Sequence, residues 1–151
     1  MLVVGACGGG SGASLGKGTP PFSARTLEGA QLSSASFKGK PVVLWFWAPW
    51  CTICRAEAPG IAKAVAEIGA KVEYVGVAGR GEVPAMKQFV EQTHTGTFTH
   101  VVDSDGSIWS AYGVAAQPAF AFIAADGQVS VLLGRLDHDA LVTRLRSLVA
   151  R

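Results

Sequence analysis

The stretch Val42-Val-Leu-Trp-Phe-Trp47-Ala-Pro-Trp-Cys51-Thr-Ile-Cys54 carries the strongest structural signal of this chain. Its first six residues are continuously apolar and rich in β-forming side chains, which is typical of a strand buried on both faces. An alanine-rich segment with helical spacing of its large apolar residues follows at residues 51–69. Two cysteines separated by two residues therefore stand where a buried strand passes into a helix.

Outside this stretch, predicted strands and helices alternate. We expect strands at residues 22–26, 30–32, 72–77, 98–102, 119–124 and 129–133, and helices at residues 84–92, 105–112 and 137–149. Glu28-Gly29 and Asp126-Gly127 are typical of hairpin turns, and Asp137 or Asp139 can cap the last helix. The pattern predicts an α/β fold with a central mixed sheet flanked by helices and an N-terminal β-hairpin.

Composition limits the classes of protein to consider. The chain has 151 residues, of which 49% are hydrophobic and 16% charged. It is the size of one domain, can bury a core without disulfides, and is too apolar to be disordered. A net charge of +2 is too small to indicate nucleic-acid binding. The arginines near the C-terminus, at positions 135, 144, 146 and 151, fit the solvated face of a final helix. The longest apolar run, residues 41–48, is too short to span a bilayer.

The pair Cys51 and Cys54 fits a redox site. A cysteine at a helix N-terminus lies beside unpaired N–H groups and the positive end of the helix dipole, which stabilise its thiolate. The second cysteine, one turn later, can reach back to resolve a mixed disulfide. We assign Cys51 as the nucleophile and Cys54 as the resolving thiol. The alternatives are two cysteines that merely pack, or a zinc site, which needs about four ligands. His94, His100 and His138 lack that spacing, and we expect no metal.

The residues around this pair resemble the thioredoxin superfamily, and within it the extracytoplasmic TlpA/ResA/DsbE branch. The likeness is closest to the secreted DsbE- and DsbF-type thiol:disulfide oxidoreductases of actinobacteria. The matching motifs are residues 42–59 and residues 112–122, Tyr-Gly-Val-Ala-Ala-Gln-Pro-Ala-Phe-Ala-Phe. The resemblance covers about residues 20–150 and implies a thioredoxin-like fold, with the cysteine pair as a redox-active disulfide and no other cofactor.

The resemblance also implies a substrate-binding surface. It implies that Pro118 is cis and that its loop faces the disulfide, so that the backbone of Gln117, next to Ala116, can pair with an extended substrate. The alternative is an ordinary trans proline at the start of a strand. Trp50 matches a tryptophan beside the nucleophile, where it would shield the site and offer a flat apolar surface.

Glu57 matches a glutamate of the ResA-like branch, one turn after the resolving cysteine. Its carboxylate could relay a proton to or from Cys54. Typical thioredoxins, unlike this chain, carry a buried aspartate six residues before the first cysteine. Trp45 occupies that position here, so Glu57 is a candidate substitute. The alternative is an exposed helical glutamate that pairs with Lys63 or with water.

The direction of electron flow stays open. Thr52 and Ile53, between the cysteines, match neither the histidine of strong oxidants nor the Gly-Pro of typical reductants. An oxidase of exported proteins is favoured over a dedicated reductant, as in cytochrome c maturation. We also expect a membrane redox partner.

Two other functions are less consistent with the sequence. A peroxiredoxin would carry a proline-threonine pattern before its cysteine, and this chain lacks that pattern. A copper-carrying module would need a histidine near the cysteines, and none lies there in the sequence.

The N-terminus carries a separate signal. Leu2-Val-Val-Gly-Ala-Cys7 resembles the end of a bacterial lipoprotein signal, with Cys7 as the lipid acceptor, although only five residues separate it from Met1. The glycine- and serine-rich residues 8–19 predict a flexible linker. We therefore interpret residues 1–19 as a signal remnant and linker, and residues 20–151 as the domain, secreted or lipid-anchored outside the cell membrane. The alternative is an incidental cysteine in an unprocessed leader.

Overall fold

A computed structural model describes residues 12–151, with side chains described from residue 18 onward. Eight strands are described: β1 (Gly12–Lys17), β2 (Ser23–Arg25), β3 (Gln31–Ser33), β4 (Val42–Trp47), β5 (Glu73–Ala78), β6 (Thr99–Val102), β7 (Ala119–Ile123) and β8 (Gln128–Leu133). The α-helices of this part of the chain are α1 (Thr52–Ile68), α2 (Val83–Thr93), α3 (Ser107–Ala111) and α4 (His138–Val149). Short 3₁₀ helices occupy Ser34–Phe37 and Gly69–Lys71.

The main sheet has the order β1-β8-β7-β4-β5-β6. Strand β4 is parallel to β5, and β5 to β6, whereas β7 and β8 run antiparallel to their neighbours. Strands β2 and β3 form a separate hairpin, tied to β6 through a bridge between Thr26 and Val101. The predicted mixed sheet and N-terminal hairpin are confirmed, and Asp137 is the residue that caps α4.

Strand β4 is buried at every position because both faces of the sheet are covered. One face packs against α1, α2 and α4; its core includes Trp45, Ile61, Phe89, Phe122 and Leu145. The other face packs against α3 and the hairpin; its core includes Leu44, Phe46, Trp109, Tyr112 and Val131. The described helices include none that is both long and apolar enough to cross a membrane.

The linker prediction is wrong for Gly12–Lys17. This segment forms β1, antiparallel to β8, with Gly12 opposite Leu132 and Lys17 opposite Gln128. Without β1, strand β8 would be a sheet edge with unpaired N–H and C=O groups. Backbone pairing needs no apolar side chains, so the composition of the segment gave no signal for it. Cys7 and the rest of residues 1–11 lie outside the described residues.

Candidate active site

The chain topology places Cys51 at the carboxyl end of the central strand. After β4, the backbone turns so that the Cys51 N–H donates to the Ala48 carbonyl at 3.1 Å. Cys51 has an extended backbone and is the N-cap of α1. Its sulfur accepts a hydrogen bond of 3.1 Å from the backbone N–H of Cys54. The first turn of the helix therefore directs an N–H group that has no partner within the helix at the sulfur that we assign as the nucleophile.

Cys51 and Cys54 are joined by a disulfide, with their Cα atoms 5.3 Å apart. Cys54 is fully buried, and Cys51 is 5% exposed. A thiol approaching from solvent therefore meets Cys51, while Cys54, in the first turn of α1, is buried. This arrangement agrees with the assigned roles of attacked and resolving sulfur.

Glu57 lies on the buried side of α1, one turn after Cys54, and is only 5% exposed. Its Oε1 accepts a hydrogen bond of 2.8 Å from the indole Nε1–H of Trp45, and its Oε2 accepts one of 3.1 Å from the backbone N–H of Leu136. The alternative of an exposed glutamate paired with Lys63 is therefore wrong.

Burial dominates the titration of Glu57. Loss of hydration raises the pKa of its carboxyl from 4.5 to about 7, although the bonds from Trp45 and Leu136 and the charge of Arg135 act in the opposite direction. A carboxyl with this pKa exchanges protons readily near neutral pH. On one face of a helix, residues three apart are neighbours, so Glu57 lies beside Cys54.

The predicted substrate-facing residues lie at the same end of the sheet. Ala119 is opposite Phe46 in the ladder of β7 and β4. The preceding residue, Pro118, therefore lies at the carboxyl end of β4, where the chain turns toward Cys51. The Gln117–Pro118 peptide is cis, as the resemblance implied. Ala116 is exposed, Gln117 is half-buried and Pro118 is buried.

Large apolar side chains are exposed around the disulfide. Trp50 is 58% exposed and Ile53 is 51% exposed, on either side of Cys51 in sequence. A cleft of about 730 Å³ lies elsewhere, between the hairpin and the turn at Asp126, and shares no lining residue with this site. An exposed apolar surface around a reactive sulfur suits an extended chain better than a small molecule.

Arg80 is a site residue that the sequence reasoning missed. Its carbonyl accepts a hydrogen bond of 2.7 Å from the Trp50 indole, and its guanidinium donates to Ala115 and Gln117. One signal was available, since Gly79-Arg80-Gly81 follows the strand predicted at residues 72–77 after one intervening residue. The carboxyl ends of neighbouring parallel strands meet at one edge of a sheet, where ligands bind.

His100 forms a second buried polar cluster, which no sequence pattern predicted. Its Nδ1 accepts a hydrogen bond of 3.1 Å from Trp47 Nε1, and its Nε2 lies 2.7 Å from the Thr95 carbonyl oxygen. Burial lowers the pKa of this imidazole to about 4. The ring is therefore neutral at physiological pH, with Nε2 as its donor. Among the described side chains, no group of three or more His, Cys, Asp and Glu residues is arranged to hold a metal ion.

Comparison with known proteins identifies the family. The AhpC/TSA family matches residues 15–132. This chain belongs to the AhpC/TSA family. It is 50% identical over 106 residues to the soluble secreted antigen MPT53 of Mycobacterium tuberculosis, a match that covers 70% of this chain and 60% of MPT53. It is 34% identical over 116 residues to the thiol-disulfide oxidoreductase ResA of Bacillus cereus, covering 76% of this chain and 66% of ResA.

The solved structures agree with this assignment. The structure of MTB DsbF superposes with a TM-score of 0.82 at 47% identity, covering 84% of this chain and 94% of the DsbF chain. The expected thioredoxin-like fold and the resemblance to ResA-, DsbE- and DsbF-type proteins are thereby confirmed. The chain spans about 60% of the length of MPT53.

Proposed function

We propose that this protein is an extracytoplasmic thiol:disulfide oxidoreductase that oxidises or exchanges disulfides in exported proteins. The observation that carries the proposal is the disulfide whose outer sulfur, on Cys51, caps α1 while its inner sulfur, on Cys54, is buried. An apolar rim, formed by Trp50 and Ile53, gives an unfolded cysteine-containing chain a surface to bind.

In the proposed reaction, a substrate thiolate attacks Cys51 Sγ. A substrate–Cys51 disulfide forms, the Cys51–Cys54 bond breaks, and Cys54 takes the electron pair as a thiolate. Glu57, which has a pKa of about 7, donates a proton to that buried sulfur. A second substrate thiolate then attacks the substrate sulfur and releases Cys51 as a thiolate, which the N–H of Cys54 stabilises. The substrate loses two electrons and the protein gains them.

Exchange with a reduced, unfolded model protein tests the proposal. The oxidised protein should form substrate disulfides with stoichiometric appearance of its own two thiols, and Cys51→Ser should abolish the reaction. Cys54→Ser, mixed instead with the same model protein in its disulfide-bonded form, should attack a substrate disulfide, release one substrate thiolate and accumulate a mixed disulfide through Cys51, visible on a non-reducing gel. Absence of exchange by the wild-type protein would refute the proposal.

A dedicated reductant is the second candidate. The buried Glu57 and the 34% identity to ResA favour it. The equilibrium potential against glutathione separates the two. A value above about −180 mV, where disulfide isomerases lie, supports an oxidant, and one below about −270 mV, where thioredoxin lies, supports a reductant.

We further propose that the protein works outside the cytoplasm with a membrane redox partner that re-oxidises or re-reduces Cys51 and Cys54. The secreted relative MPT53 supports the location, since disulfides persist outside the cytosol. Lipid attachment at Cys7 would hold the domain at the membrane. Mass spectrometry of the protein from its native host, with Cys7→Ser as control, tests the attachment.

A further inference from the structure

Two surfaces lie near the disulfide, and one residue contacts both. One is the indole of Trp50, the residue before Cys51, and the other is the segment Ala115 to Gln117, which precedes the cis Pro118. The Trp50 Nε1–H donates to the Arg80 carbonyl at 2.7 Å. The Arg80 guanidinium donates to the Ala115 carbonyl at 2.7 Å and to Gln117 Oε1 at 3.2 Å.

The backbone around Arg80 is fixed by close packing. A Cβ at Gly79 would lie 2.7 Å from Trp109 Cε2, and a Cβ at Gly81 would lie 2.5 Å from Pro49 Cγ. Only glycine allows this approach on both sides. The loop is therefore held between α3 and the turn that leads from β4 to Cys51.

The side chain of Arg80 is also held. Its guanidinium carbon lies 4.9 Å from the centroid of a Trp109 ring, which itself is buried. Stacking on an aromatic face and two hydrogen bonds from one planar group define a single orientation. Trp50, by contrast, is 58% exposed, so packing alone does not fix its indole.

We propose that Arg80 is a positioning residue that sets the spacing and orientation of the Trp50 indole and the Ala115–Gln117 segment, and so selects extended polypeptides as substrates. This inference rests on the proposed disulfide exchange. The backbone carbonyl of Arg80 orients the indole, and its guanidinium orients the segment. A peptide that contacts both surfaces depends on their spacing, whereas a small dithiol contacts only the sulfur of Cys51.

The test compares second-order rates for a reduced cysteine peptide and for dithiothreitol. In Arg80→Ala, the ratio of peptide rate to dithiothreitol rate should fall about tenfold, the scale expected when a binding surface is misplaced by less than an ångström. Arg80→Lys keeps the charge but not the planar pair of donors, and its ratio should fall similarly. Arg144→Ala, which removes an exposed arginine stacked on Phe122 elsewhere, should leave the ratio unchanged.

Several outcomes would overturn the proposal. A wild-type ratio in Arg80→Ala would show that the spacing does not matter, and a wild-type ratio in Arg80→Lys would show that charge acts rather than geometry. If Arg80→Ala fails to fold, Gln117→Leu removes the 3.2 Å bond alone and should lower the ratio by a smaller factor; an unchanged ratio there also overturns the proposal. Failure of the wild-type protein to react with either reagent would instead refute the proposed function.

Discussion

The indole Nε1–H of Trp45 donates a hydrogen bond of 2.8 Å to the buried carboxylate of Glu57. Trp45 comes from the central strand and Glu57 from the helix that begins after the disulfide. The bond crosses the interface between them and lies one helical turn from Cys54. A side chain of the central strand therefore influences the pKa of Glu57.

Trp45→Phe should raise the pKa of Glu57 above about 7. The Trp45 bond favours the charged carboxylate and lowers its pKa, while burial continues to raise it. The titration of the labelled Glu57 carboxyl, followed by NMR of the oxidised protein, measures this. Trp50→Phe, at an exposed indole bonded to Arg80, is the control. A midpoint that stays in place would show that the bond does not act on the carboxyl.

Glu57→Gln should change how stability depends on pH. The folded carboxyl holds its proton up to about pH 7, whereas its ordinary pKa is 4.5. Between these values the folded state binds more protons than the unfolded state, so this group lowers the free energy of unfolding as pH rises. The shift corresponds to about 3 kcal/mol across the window. Chemical denaturation from pH 4 to 8 should show that slope lost in Glu57→Gln; an unaltered profile would mean that Glu57 titrates normally.

His100→Gln should remove a slope of opposite sign. Burial lowers the pKa of His100 from 6.5 to about 4, so in this interval the unfolded state binds the additional proton. This group therefore lowers the free energy of unfolding as pH falls through the interval. A glutamine amide can still accept from Trp47 and donate to Thr95 without titrating. The variant should lose less stability between pH 6.5 and 4 than the wild type. His94→Gln, at an exposed histidine that ends α2, is the control and should retain the wild-type loss.

Gly76→Ala should destabilise the fold. A Cβ at Gly76 in β5 would overlap the His100 ring and approach Trp47 Nε1 to 2.9 Å. Overpacking at such a site costs about 1–3 kcal/mol. Gly96→Ala is the matched control, because its Cβ would lie 3.5 Å from Val90, an ordinary contact. Equal denaturation midpoints for the two variants would contradict the expected overlap.

In the reduced protein, Cys51 should be alkylated faster than Cys54 and at lower pH. Cys51 is at the helix N-terminus and 5% exposed, whereas Cys54 is fully buried. The variants Cys54→Ser and Cys51→Ser each leave one of these thiols, and their labelling rates against pH measure the difference. Faster labelling of Cys54 would reverse the assigned roles.

The sequence determined the order of the elements and the position of the cysteine pair, because both follow from local patterns. The continuous run of apolar, β-forming residues predicted β4 at residues 42–47, and Asp126-Gly127 predicted the turn between β7 and β8. The periodicity after Cys51 predicted α1, which begins at Thr52 and ends at Ile68. These signals depend on neighbours along the chain, so they can be read without knowing what packs against them.

The environment of each polar group depends on long-range contacts in the folded chain. Glu57 could have been an exposed helical glutamate; it is buried because Trp45 and the Leu136 N–H meet it from segments 12 and 79 residues away. Arg80 contacts residues 30 to 37 positions distant. Strand β1 pairs with β8 through backbone hydrogen bonds to a segment more than 110 residues away. The desolvation and hydrogen bonding of a side chain depend on which distant segments of the chain pack around it. A local sequence pattern reflects only residues that are near one another along the chain.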